Sequence, residues 1–176
     1  LRFQMFVPLA YGYTGIAYYT YDIAHERGLL EQTGKPNRLY HAAAKANLEV
    51  ANLGTALRFL TSTDVRFVPG HHEEGGRTVP NKLPMDTTAW THGAGSDKWI
   101  TDIGVDSPGK EKDGLLGFFQ DDGGDQYFML TNLWHNADTS ASERTLAFTV
   151  KFAPEVKKLY RLNRVSGKVE SVDLNH

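Results

Sequence analysis

Four groups of residues in this 176-residue chain have side chains that could do chemistry. His71, His72, Glu73 and Glu74 are adjacent imidazoles and carboxylates, the types that ligate a transition metal. They lack the His-Glu-x-x-His spacing that would put two imidazoles on one helical face. Gly75 and Gly76 follow directly, so a solvated loop is expected instead of a metal site. Asp121, Asp122 and Asp125 surround Gly123 and Gly124. A calcium loop needs a longer alternation of oxygen ligands and a closing glutamate, so a hairpin turn is expected there. Arg2, Asp22, His25 and Glu26 are capable of acid–base work, but no spacing pairs any two of them. The chain contains no G-x-S-x-G, no P-loop and no G-x-G-x-x-G. Zero cysteines exclude disulfides, thiolate metal sites and thiol nucleophiles. No metal and no cofactor is expected.

The fourth group is aromatic. A flat π face can stack on the CH face of a pyranose ring, so exposed indoles and phenols are candidates for sugar contact. Trp90 and Trp134 lie in or beside loops and are the indole candidates, against the alternative of core packing. Trp99 stands between Lys98 and Ile100 in a strand-like run and is expected in the core.

The elements that must position these residues follow from composition and period. The chain is 40% hydrophobic and 23% charged, ordinary values for a globular protein, which excludes disorder, collagen and coiled coil. Nineteen basic and twenty-one acidic residues give a net charge of -2, which argues against electrostatic capture of nucleic acid or an anionic membrane. No run of about 18 apolar residues is present to span a bilayer. The chain begins at Leu1 in an amphipathic segment and stops at His176 just after a strand-like run, so a piece of a longer polypeptide is expected.

Residues 1–61 read as α/β. Residues 1–13 place Leu1, Met5, Leu9 and Gly12 roughly on one helical face, with Pro8 as a potential kink. The uncharged apolar and aromatic run 15–21 reads as a strand buried on both faces, as in a parallel sheet. A polar loop over 22–37 follows. Leu39, Ala43, Ala46, Val50, Leu53, Leu57 and Leu60, spaced 4, 3, 4, 3, 4 and 3, then make one helical stripe. Asn37 is its N-cap candidate, and His41, Lys45, Asn47, Glu49 and Asn52 form the opposite, solvent-facing side.

From residue 63 the period changes to two. Candidate strands are 64–68, 98–105, 115–120, 126–133, 144–152, 156–162 and 168–172, with turns at 121–124 and 164–167. These describe an antiparallel sandwich over 62–176, lacking its last strand. Residues 69–97 are an unassigned long loop. One buried parallel strand cannot form a sheet alone, and a (β/α)8 barrel needs roughly 250 residues, so the rest of an α/β unit is expected outside this chain.

Several stretches, taken in order, carry a resemblance: Leu1-Arg2-Phe3-Gln4, Leu9-Ala10-Tyr11-Gly12, Gly15-Ile16 and Tyr18-Tyr19-Thr20-Tyr21. They resemble the last helix–strand passage of clan A glycoside hydrolases, most closely the bacterial family 42 β-galactosidase-like enzymes. The runs 28–36, 39–60 and 63–66 are similar to the following loop, helix eight and the start of a C-terminal β domain. The runs 114–119 and 127–132 are similar to the small sandwich that caps such barrels. The fold so implied is an α/β segment, the last helix–strand–helix of a (β/α)8 barrel over 1–61, followed by an antiparallel β-sandwich over 62–176. The family hydrolyses β-linked glycosides by a retaining mechanism with two carboxylates about 5 Å apart. The resemblance places both upstream of Leu1, so no catalytic residue is expected in this chain. It implies sugar-lining roles for Tyr19 and Tyr21, although Asp22 stands where the family often has an aromatic residue. The implied partners are carbohydrate and the remaining barrel segment, from the same polypeptide or another chain. The alternatives are a non-catalytic carbohydrate-binding module and a structural domain docking a partner through the edge of 15–21.

Overall fold

Two helices and a set of small antiparallel sheets make up the structure, a computed structural model that describes residues 1–19, 21, 28–94, 97–136 and 139–174. Helix α1 (Arg2–Ala10) buries Met5, Phe6, Leu9 and Ala10. Pro8 lies in its last turn, where the ring forfeits the amide bond to the Gln4 carbonyl. The chain then folds back: the Tyr11 and Tyr13 amides donate to the Pro8 carbonyl at 3.0 and 3.1 Å, and Gly12 donates to Leu9. Helix α2 (Arg38–Leu57) starts where Asn37 predicts. The Asn37 Oδ1 accepts from the amides of Leu39 and Tyr40 at 2.8 and 3.1 Å, satisfying two of the four donors a helix start leaves open. Its Nδ2 donates to the Gly28 carbonyl, tying the preceding loop to the cap.

Strands β1 (Thr61–Val68), β5 (Gly114–Gln120) and β6 (Gln126–Asn132) form one antiparallel sheet in the order β1-β5-β6. Ribbons β2–β3 (His71–Glu74, Arg77–Pro80), β4–β7 (Ile100–Val105, Phe148–Phe152) and β8–β9 (Leu159–Leu162, Val169–Val172) pair only internally. The central strand explains its own sequence. Leu116 and Phe118 of β5 pack with Val68 and with Ile100, Ile103 and Val105 of β4. Phe128 and Leu130 of β6 and Phe148, Val150 and Phe152 of β7 complete that cluster. The alternate residues face the helices: an added Cβ on Gly117 would meet the Ala10 carbonyl, and Met129 packs with Met5, Leu9 and Ala46. Covered on both sides, β5 is an unbroken apolar run.

Several expectations are corrected here. Residues 13–18 belong to no helix or strand, so the aromatic run is not a barrel strand. It reads as apolar because Ile16 and Tyr18 lie on the α1–α2 pair, which supplies dry neighbours without a ladder. The two helices pack directly on each other and on an antiparallel sheet, which overturns the helix–strand–helix barrel segment. The expected single sandwich is instead four separate small sheets. Within the unassigned 69–97 region, the His71–Glu74 run is strand β2, not a loop. Gly75 and Gly76, both at positive φ (58° and 75°), supply the two-residue turn into β3 that such a hairpin requires. On α2, Glu49 is not solvent-facing but 5% exposed, because Arg2 and Arg164 cover it.

Candidate functional site

The break after α1 creates an open concave surface. Gly12, at φ +88°, lets the chain reverse against Ser62, and the returning segment runs alongside the helix it has just left. Between them lies an open cleft of about 510 Å³. Gln4, Val7, Pro8 and Tyr11 line one wall, and Tyr13 and Ile16 line the other. Tyr11 is 43% and Tyr13 66% exposed, so both phenol rings present surface to solvent. Among the described residues the lining is phenol, amide and alkyl, with no carboxylate. Such a surface can stack on a ring and donate or accept hydrogen bonds.

Tyr18 fixes the returning segment in place. Its hydroxyl donates to Asn47 Oδ1 of α2 at 2.6 Å and sits 3.5 Å from the Met5 sulfur. Burial pushes its hydroxyl above the ordinary tyrosine value, while the Asn47 bond pulls the other way. Tyr18 is therefore a neutral anchor.

The aromatic candidates from the sequence are dispersed. Tyr19 and Tyr21 are 89% and 57% exposed, beyond the cleft, and Tyr21 meets Tyr40 edge-on at 6.5 Å. Asp22, with His25 and Glu26, lies outside the described residues. Trp90 packs against the β4–β5 cluster, with its indole nitrogen buried and unpartnered. Trp134 has Lys112 Nζ and Arg144 Cζ each 4.5 Å from its ring centroid. Lys98 covers Trp99 in the same way. None of the three indoles lies in the cleft.

The remaining chemical groups are engaged structurally. His72 Nδ1 lies 2.7 Å from Asn81 Oδ1, and Asn81 Nδ2 donates to the Gly109 carbonyl and to Asp113, each at 3.0 Å. Asp113 also accepts from the Gly70 amide, so this knot closes β2 against the loop before β5. Asp121 Oδ1 accepts from the Gly123 and Asp125 amides and its Oδ2 from Tyr127, which is the work of a hairpin turn. Asp64 pairs with Arg66 and Asp102 with Lys151.

Sequence reasoning missed Gln4, Tyr11 and Tyr13. The readable signal was Pro8 near the end of an apolar helix followed by Tyr-Gly-Tyr, which places two rings on a reversal that cannot bury both. No protein-family model, no curated protein and no solved structure matches this chain.

Proposed function

We propose that this chain is a non-catalytic, carbohydrate-contacting part of an enzyme that hydrolyses β-linked glycosides. The order of sequence stretches resembling family 42-type hydrolases supports the enzyme class, while the barrel strand implied at 15–21 does not form and is no part of that support. The observation that carries the contacting role is the tyrosine cleft: exposed rings on the chain reversal after α1, an amide from the helix beside them, and no carboxylate among the described lining residues. In a retaining hydrolysis one carboxylate attacks the anomeric carbon while the other protonates the leaving oxygen. Both groups come from outside this chain, and the cleft holds sugar without taking part in bond exchange.

Two measurements test this. Incubation of the chain with aryl β-glycosides is expected to give no turnover above background, and turnover would overturn the non-catalytic assignment. Affinity electrophoresis against a panel of β-linked polysaccharides is expected to show retardation, lost in Tyr13→Ala. Unretarded migration in every gel would overturn the contacting role.

A further inference from the structure

The β8–β9 ribbon stands apart from both apolar clusters. Among the described residues it pairs with no other strand, and none of its residues belongs to either cluster. Tyr160, Val165 and Val169 are 60%, 70% and 69% exposed, and Leu159, Leu162 and Val172 are half-buried without joining either cluster, so its apolar side chains contribute only in part to a shared core. A lone two-stranded hairpin is marginal in water. Partial hydrophobic burial is not the only attachment the ribbon has.

The other attachment is polar and local. The turn between β8 and β9 sits on one spot of helix α2. Asn52 Nδ2 donates to the carbonyls of Arg164 and Val165 at 2.9 and 3.0 Å. Gly167, at φ +68°, comes so near that a Cβ there would stand 2.9 Å from Asn52 Oδ1. One turn back along the helix, Glu49 Oε2 accepts from Arg164 Nε at 2.7 Å. The same carboxylate accepts both terminal nitrogens of Arg2 from α1, at 2.9 and 2.5 Å. The Glu49 side chain is only 7% exposed, whereas Arg164 is 57% exposed. One buried carboxylate thus joins the first helix, the second helix and the C-terminal ribbon.

We propose that β8–β9 is a strap that opens as a unit, latched to the helix layer by Glu49 and Asn52, while the β5-centred core stays closed. Units with few apolar contacts open at lower cost than the fold as a whole. Here the latch sets that cost. The charged groups facing Glu49 are Arg2 of α1 and Arg164 of the strap, and both stay protonated throughout the accessible range. The Arg2 hydrogen bonds hold the Glu49 carboxyl below the usual glutamate value against its burial. Its contribution is therefore complete above the usual glutamate value and is lost as pH falls through the depressed one. Acid opens the strap.

Amide hydrogen exchange on the full chain at neutral pH, read by peptide mass spectrometry, tests this. In the wild-type chain, peptides over 159–172 are expected to exchange faster than those over 114–120. Glu49→Gln is expected to accelerate the strap peptides at least tenfold and leave those over 114–120 unchanged. Asn52→Ala, which spares the Arg2–Glu49 pair, is expected to do the same by a smaller factor, and it decides the matter should Glu49→Gln fail to fold. Equal protection of strap and β5 in the wild-type chain would overturn the proposal. So would an Asn52→Ala chain whose strap exchanges no faster than wild type, or faster only together with β5.

Discussion

Gly117 decides how tightly α1 sits on the sheet. An added Cβ at this position would lie 2.1 Å from the Ala10 carbonyl oxygen and 3.0 Å from its carbon. Ordinary contact begins at 3.4 Å, so the overlap is 3.4 − 2.1 = 1.3 Å, and it falls on backbone rather than on a side chain that could swing away. The helix has nowhere to retreat, because Met5, Leu9 and Ala10 are 1%, 3% and 0% exposed against their neighbours. Overpacking of this kind costs about 1–3 kcal/mol, and a backbone clash belongs at the upper end. Gly117→Ala is therefore expected to lose about 3 kcal/mol, a fall in Tm of about 6–12 °C for a chain of this size. Gly54→Ala supplies the control. Nothing lies within 4 Å of a Cβ there, and the site is inside α2, so the substitution is expected to gain about 1 kcal/mol. Gly114→Ala should fall between them, because its 2.6 Å contact is with the movable Phe148 ring. Urea unfolding should show the three midpoints in that order with unchanged slope. A Gly117→Ala midpoint within error of wild type would refute the seating of α1 on β5.

Two further outcomes follow from the caps and charges. Asn37→Ala removes both amide bonds at the start of α2 and the tie to the Gly28 carbonyl, and is expected to cost about 1 kcal/mol or more by urea unfolding, with Asn37→Asp recovering only part of it because its second oxygen would face that carbonyl. Asp102→Asn breaks the 2.8 Å pair with Lys151, whose side chains are 55% and 64% exposed, so the loss should be under about 1 kcal/mol and vanish in molar salt. The Lys151 hydrogen bond lowers the Asp102 carboxyl, so the pair's small contribution exists above the usual aspartate value and is lost as pH falls, which parallel melts at pH 7 and pH 3 would register.

Local signals were readable where one residue type solves one geometric problem. Asn37 capped the helix that its position predicts, and strands β5 and β6 lie within a residue of the expected runs, with their acidic–glycine turn between them. What could not be read was partnership. The run at 15–21 has the composition of a strand with two dry faces, yet composition reports only that neighbours are apolar, not that they are strands. Ile16 and Tyr18 find those neighbours on two helices. The β2–β3 hairpin was missed for the opposite reason: His71 to Glu74 is too polar to look like a strand, and only Gly75-Gly76 at positive φ betrays the turn. The cleft was out of reach because it depends on Pro8 ending α1 within one turn, so that Tyr11 and Tyr13 return alongside it.

Helix α2 shows why a polar face need not be a wet one. Its apolar stripe predicts which side packs, and Ala43 and Ala46 do lie buried. The side assigned to solvent carries Asn47, Glu49 and Asn52, and each of the three grips a different segment: Tyr18, Arg2 with Arg164, and the β8–β9 turn. A buried carboxylate is tolerable only when ionic and hydrogen-bond partners replace water, and two guanidiniums from opposite ends of the chain do so here. Hydrophobic burial therefore seats α1, the sheet and the N-terminal aromatic segment against α2. Directional polar bonds from Asn47, Glu49 and Asn52 then fix Tyr18, Arg2 and the C-terminal strap. Apolar contacts tolerate sliding, whereas a carboxylate shared by two arginines fixes position and responds to charge. Of the three polar attachments only the one through Glu49 carries a carboxylate that protonation can discharge.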